Sequence, residues 1–239
     1  MSTAPAPRLE GLSLVLPVHN EAINLPWMLR RAAEKLPALA TQAEVVIVDD
    51  GSTDGSAALA RTQAADLGLE LRVVTHHQKS GYGVTVADGL RASRLPWVAF
   101  TDADGQFDIA DLAKLAAFSD RADLIGGWRI ERQDAWMRSV VSGTFNVLLF
   151  LLYGLRVRDV DCALKLMRAE FLRSIELENR SALLNAELYL KARRGGWRVM
   201  QVPVPHYPRR AGRRSGARPR AILRAMKELI LFRVRLALR

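Results

Sequence analysis

Asp102 and Asp104 stand one small residue apart, directly after the apolar run Trp97 to Thr101, with Gln106 two residues further on. Two carboxylates at that spacing can converge on one hard cation, and an amide oxygen can add to the set. Oxygen donors of this kind point to Mg2+ or Mn2+, a cation that keeps positions open for diphosphate oxygens and stabilises charge developing on a leaving nucleoside diphosphate. The same residues also make an ordinary solvated turn, because Asp and Gly are common in turns. The motif in isolation leaves both readings open.

Two more polar clusters follow apolar runs. His19-Asn20-Glu21 comes after Leu12 to Pro17, and Asp49-Asp50-Gly51-Ser52 comes after Glu44 to Val48. Carboxylates such as Glu21 and Asp50 at strand ends can accept hydrogen bonds from a base or a ribose hydroxyl, or can cap the helix that follows. Arg129 lies just beyond Leu124 to Gly127, and the spacing of Arg138 and Ser142 puts both on one helical face. They are either anion ligands or an exposed arginine pair with a helix serine. Asp159 and Asp161 flank Val160 in a polar turn, where the second acid can be a base, a sugar-hydroxyl contact or a cap. Glu187 reads as a solvated helical acid.

These side chains need a scaffold, and the apolar pattern supplies one. Leu12 to Pro17, Glu44 to Val48, Leu71 to Thr75 and Trp97 to Thr101 read as buried strands. Between them Leu25, Met28, Leu29, Ala32, Ala33 and Leu36 recur at helical spacing, Ser52-Thr53-Asp54 opens a second helix, and Val84 to Ala92 suits a third. This alternation predicts an α/β fold, an open and mostly parallel sheet with right-handed crossovers. Ligands of such sheets bind beyond the carboxyl ends of the strands, where all three polar clusters fall. The second half looks more mixed. It reads as a helix from about Trp136 to Tyr153, a strand at Leu164 to Arg168, a helix at Ala182 to Arg193 and an extended Arg198 to Val204.

Bulk properties narrow the class. The 239 residues, 49% hydrophobic, suit one compact domain, expected over residues 1–210, with a basic segment over 211–239. Residues 201–239 hold eleven Lys and Arg against one acid, Glu228, which accounts for the whole net charge of +10. A basic footprint spread over the fold is therefore absent, and nucleic acid is an unfavoured partner. Ile222 to Leu238 has the pattern of a basic amphipathic helix, which suits an anionic membrane interface or a core-packing terminal helix with a basic outer face. The apolar stretch Val147 to Leu155 is about half of the roughly 20 residues a spanning helix needs. Met1 to Pro7 has no secretory-leader pattern, and a lone cysteine, Cys162, excludes an intramolecular disulfide. The expected location is the reducing cytoplasm, peripheral to the inner face of the cell membrane.

The clusters occur in a fixed order: Leu14-Val15-Leu16-Pro17-Val18-His19-Asn20-Glu21, Val46-Ile47-Val48-Asp49-Asp50-Gly51-Ser52-Thr53-Asp54-Gly55, Gly81-Tyr82-Gly83 and Asp102-Ala103-Asp104-Gly105-Gln106. This order resembles the family 2 inverting glycosyltransferases of GT-A fold, nearest to their dolichyl- or polyprenyl-phosphate mannosyl- and glucosyltransferase branch. The resemblance runs from about Leu12 to Arg210. It implies that Pro17, Glu21 and Asp50 touch the nucleoside and that Asp102, Asp104 and Gln106 hold Mg2+ or Mn2+. It further implies that Arg129, Arg138 and Ser142 bind an acceptor phosphate and that Arg209 and Arg210 belong to a loop over the donor phosphates. In the polyprenyl-phosphate branch an Asp precedes Thr-Ser-Gly-Phe-Arg, whereas this chain has Asp159-Val160-Asp161-Cys162-Ala163-Leu164-Lys165, so Asp159 and Asp161 are the catalytic candidates.

The implied reaction is metal-dependent transfer of a hexose from a nucleotide diphosphate sugar to a polyprenyl phosphate at the membrane face. An ionised lipid phosphate needs positioning by guanidinium groups and no general base. A glycan, protein or small-molecule hydroxyl acceptor is the alternative, with Asp161 as base, and a basic-tailed nucleic-acid or acidic-partner binder is a third reading. Against the last, Phe232 is the sole aromatic after Tyr207, too few for base stacking.

Overall fold

A computed structural model describes residues 8–130 and 147–212. Seven strands form one sheet: β1 (Leu9–Val18), β2 (Ala40–Asp49), β3 (Leu71–Thr75), β4 (Trp97–Phe100), β5 (Leu124–Ile130), β6 (Lys165–Arg168) and β7 (Val199–Pro205). Their spatial order is β3-β2-β1-β4-β6-β5-β7. The β3-β2-β1-β4 half is all parallel, whereas β6 runs antiparallel to both β4 and β5, and β7 pairs parallel with β5. Every strand except β6 therefore points its carboxyl end to the same edge.

The first half follows from burial. Leu14, Val15, Leu16 and Val45 to Val48 have no exposed surface, as central parallel strands covered on both faces require. Helix α1 (Leu25–Leu39) buries Leu25, Met28, Leu29, Ala32, Leu36 and Leu39, the stripe its spacing predicts. With α2 (Ser56–Asp66) it packs on one face, while α3 (Tyr82–Ala92) returns on the other because the chain reverses its direction of travel across the sheet after β3. Then come a 3-10 turn (Ile109–Asp111), α4 (Leu112–Ala116), α5 (residues 147–153), α6 (Ala169–Arg173) and α7 (Leu184–Arg194).

Some boundaries differ from expectation. Strand β2 begins four residues early, because Ala40 to Ala43 pair with the start of β1 although Thr41 and Gln42 face solvent. Backbone pairing there extends past the apolar core. The five-residue helices α4 and α6 are too short to show a helical period. Of the expected Trp136 to Tyr153 helix, residues 136–146 lie outside the described residues, as do Arg138, Ser142 and the basic segment from residue 213. Glu187 is corrected: it is fully buried in α7, its carboxylate accepting from the backbone N–H of Glu178 and Asn179, both at 2.9 Å, and pairing with Lys191 at 2.9 Å. It clamps the loop before α7. No helix among the described residues is long and apolar enough to cross a membrane.

Candidate active site

The loops after β1 and β2 are stitched to each other. Asn20, held at φ 57°, receives a hydrogen bond from Thr53 N–H at 2.8 Å and donates its own N–H to Ser52 Oγ at 2.9 Å. Asp54 and Ser56 accept from the N–H groups of Ala22 and Glu21 at 3.0 and 3.1 Å. Pro17 lies inside β1, opposite Val48, one residue before the strand ends at Val18.

Asp50 is turned inward. Its Oδ1 accepts from Ser80 N–H at 2.6 Å and meets His76 Nδ1 at 2.9 Å, while Oδ2 accepts from Gly81 N–H at 3.0 Å. Burial would raise its pKa, but the bonds from His76, Ser80 and Gly81 outweigh that and lower it. His76 in turn reaches Asp88 through Nε2 at 3.1 Å. The Asp50 carboxylate is 3% exposed, and its oxygens hold the loop over residues 76–81.

Asp102 begins the loop after β4. Burial first, and then the Asp104 charge, push its carboxyl up to about 7. Its Oδ1 is enclosed with no hydrogen-bond partner, whereas the Tyr82 hydroxyl hydrogen-bonds the same carboxylate. An enclosed, unpartnered carboxylate oxygen beside a second carboxylate is what a bound divalent cation satisfies. Asp104 is 8% exposed and accepts from Gln106 N–H at 3.0 Å and from Arg209 Nη1 at 3.2 Å. Gln106 itself turns its side-chain nitrogen to the Tyr207 carbonyl at 3.3 Å, so its amide ties the loop to the segment after β7.

That segment crosses the site as a strap. Tyr207 N–H returns a bond to the Gln106 carbonyl at 2.9 Å, and His206 packs on Phe107 with ring centroids 5.3 Å apart. Arg209 also binds Glu21 Oε1, joining the carboxylates of the β1 and β4 loops. Arg210 lies over the Trp27 ring at 4.6 Å, and its stem runs so close to Gly105 that a Cβ there would meet Arg210 Cδ at 2.8 Å. Both arginines thus sit at the strand-end edge.

On the other half of the sheet, Arg129 near the end of β5 is clamped by Asp159, Nε to Oδ2 at 2.6 Å and Nη2 to Oδ1 at 2.9 Å. Burial opposes the guanidinium charge, but the Asp159 pair more than offsets it and raises the Arg129 pKa. Asp159 is 5% exposed and both its oxygens engage Arg129, so it positions that guanidinium. Asp161 is only partly buried and is the catalytic candidate that retains access. Sequence reasoning noted Tyr82 and Lys165 within motifs but gave them no role, and missed Asn185, which binds Lys165 under this site. A fully apolar setting for a lysine, next to Leu164 and Leu166, was the one available signal.

Carboxylates and arginines gather at the carboxyl edge of a mostly parallel sheet, an arrangement that suits a glycosyltransferase of GT-A fold, and comparison with known proteins gives that class. The glycosyl transferase family 2 model matches residues 13–175, and the chain belongs to that family. It is similar to dodecaprenyl-phosphate galacturonate synthase of Rhizobium johnstonii, 32% identical over 72% of this chain and 52% of that one. It also resembles undecaprenyl-phosphate 4-deoxy-4-formamido-L-arabinose transferase of Edwardsiella ictaluri, 29% identical over 85% of this chain and 62% of the other. The chain thus spans between about half and two thirds of the length of these two curated relatives. Among solved structures, glucosyl-3-phosphoglycerate synthase from Mycobacterium tuberculosis, crystallised with Mn2+ and UDP, superposes with a TM-score of 0.71 at 20% identity, covering 94% of this chain and 78% of that one. Staphylococcus aureus TarS with UDP-GlcNAc gives 0.64 at 18%, covering 92% and 66%.

Proposed function

We propose that this glycosyltransferase moves a hexose from a nucleotide diphosphate sugar to a polyprenyl phosphate at a membrane surface, with inversion at the anomeric carbon. The observation that carries the donor side is the enclosed, unpartnered Asp102 Oδ1 beside Asp104. Asp102 and Asp104 would hold Mg2+ or Mn2+, and Gln106 steadies their loop. When bound, the cation neutralises charge on the departing diphosphate. Mn2+ or Mg2+ in the crystals of structural neighbours supports this donor chemistry.

The chain's residues divide the remaining tasks. The rim of Pro17, Glu21 and the Asp50-braced loop bounds the nucleoside. Arg209, bound to Asp104, and Arg210, against Gly105, would exchange onto diphosphate oxygens. Arg129, preset by Asp159, offers its guanidinium to the acceptor phosphate, with Arg138 and Ser142 as further ligands. An acceptor phosphate oxygen attacks the anomeric carbon in line, the bond from that carbon to the diphosphate oxygen breaks, and the nucleoside diphosphate leaves with the electron pair. No proton need be removed from an ionised phosphate.

The relatives' names support the acceptor class, and the exposed apolar side chains of α5, Val147, Phe150 and Leu151, support contact with a lipid surface. The test is incubation of the purified protein with labelled nucleotide sugars and a short polyprenyl phosphate, with and without EDTA. A glycolipid formed only with divalent cation is expected; none with any donor rejects the proposal. A hydroxyl acceptor with Asp161 as base is the second reading, motivated by its access. Asp161→Asn would then abolish turnover, whereas phosphate attack tolerates that change.

A further inference from the structure

Lys165 has no exposed surface, yet it carries an ammonium into the centre of the molecule. It sits at the seam of the sheet, in β6, paired with Phe100 at the end of β4, where the parallel half meets the antiparallel half. Its Nζ donates to the Val160 carbonyl at 3.3 Å, to the Cys162 carbonyl and to Asn185 Oδ1 at 2.8 Å, and it lies over the rings of Phe100 and Tyr189 at 5.2 and 5.5 Å. Burial pulls its pKa down to about 8, opposed by nearby anionic groups that include Asp161, Asp159 and Asp102. Burying such a charge costs several kcal/mol before its partners offset it. An apolar side chain at this position would suit the core alone better.

Two arms leave the ammonium. The Val160 and Cys162 carbonyls bracket Asp161, so one arm fixes the turn that carries Asp159 and Asp161. The other arm has a fixed direction. A lysine only donates, so Asn185 must present its oxygen to Lys165 and its nitrogen to the Tyr82 hydroxyl. The Tyr82 hydroxyl interacts with both Asn185 and Asp102, so an Asn185 N–H turned to it leaves its single proton for Asp102. Tyr82 is held there by its neighbours: a Cβ on Gly83 would lie 2.5 Å from the backbone of Arg180 and Ser181, so α3 packs directly on the chain that leads into α7.

We propose that Lys165 is a positioning residue that ties both halves of the site to one charge: it orients Asp102 through Asn185 and Tyr82, and the acceptor-side turn through the Val160 and Cys162 carbonyls. This rests on Asp102 being a cation ligand. Outer partners that orient ligating carboxylates are typically worth about tenfold or more in metal affinity.

The test is Mn2+ binding by electron paramagnetic resonance without donor, alongside thermal melts and the KM for each substrate. Tyr82→Phe keeps the ring and removes the link, and it is expected to weaken Mn2+ binding about tenfold with little change in melting temperature. Asn185→Asp keeps a partner for Lys165 but offers Tyr82 only an acceptor, so the hydroxyl proton turns away from Asp102 and Mn2+ binding falls similarly. In the Tyr82→Phe background, Asn185→Asp should cost nothing further, because effects along one chain do not add. Lys165→Met should weaken Mn2+ binding and also raise the acceptor KM, which Tyr82→Phe leaves unchanged; if Lys165→Met fails to fold, the other two variants decide alone. Mn2+ affinity within twofold of wild type in both, or additive losses in the double variant, overturns the proposal. Equal Mn2+ binding by wild type and Asp102→Asn would instead overturn the cation reading beneath it.

Discussion

Arg209 reaches Asp104 across the site, Nη1 to Oδ2 at 3.2 Å, and the same guanidinium binds Glu21. A positive group therefore already neutralises the carboxylate pair that a cation would occupy. Arg209→Gln is expected to tighten donor-free Mn2+ binding roughly fivefold, the equivalent of about 1 kcal/mol for a partly buried ion pair, while raising the donor KM. Calorimetric titration with Mn2+ measures the first effect; unchanged or weaker binding would show that the guanidinium does not compete.

His76 links Asp50 to Asp88, and although burial disfavours its charge, the two carboxylates raise its pKa. A raised folded-state pKa means the contribution is fully present below the unfolded value of about 6.5 and is lost as pH rises through the folded value. Asp50, whose pKa is lowered, works in the opposite sense and loses its contribution only in acid. Nucleoside diphosphate binding should therefore weaken on the alkaline side of the His76 titration, and His76→Gln should flatten that limb. Ring-proton NMR of His76 alongside the binding curve checks the coincidence of the two midpoints.

Glu187 holds the backbone N–H groups of Glu178 and Asn179 and the Lys191 ammonium with no exposure of its own. Removing its charge leaves Lys191 and two amides poorly matched, so Glu187→Gln should cost about 2–4 kcal/mol. Denaturant unfolding reads this directly, and a loss under about 1 kcal/mol would mean the clamp is replaceable by water.

Arg129 owes its orientation to Asp159 at 2.6 and 2.9 Å. Asp159→Asn, which cannot accept on both sides of the fork, should raise the acceptor KM about tenfold or more and leave donor binding intact. A change confined to the donor KM would place Arg129 on the other substrate.

Much of the first half of the sheet and its strand-end carboxylates was legible because its signals are local. Buried parallel strands show as continuous apolar runs, and Asp102 and Asp104 sit within three residues at the end of one of them, so strand and ligand appear together. Arg129 was legible as a residue but not as a pair, since Asp159 is 30 positions away and its job depends on the β5–β6 arrangement. Asp50 shows the converse: its place at the end of β2 was evident, but the inward turn onto Ser80 and Gly81 was not, because the loop it binds belongs to the chain after β3.

The sequence by itself determined the strand–helix alternation and the edge where the polar clusters gather, since periodicity and motif spacing act over a few residues. The tertiary structure alone decided which charges meet. Arg209 with Glu21 is a contact across 188 positions, and Lys165 finds Asn185 only because β6 inserts antiparallel between β4 and β5. A charge interacts through space and a pattern is written along the chain, so the partner of a buried charge becomes visible only once the chain is folded.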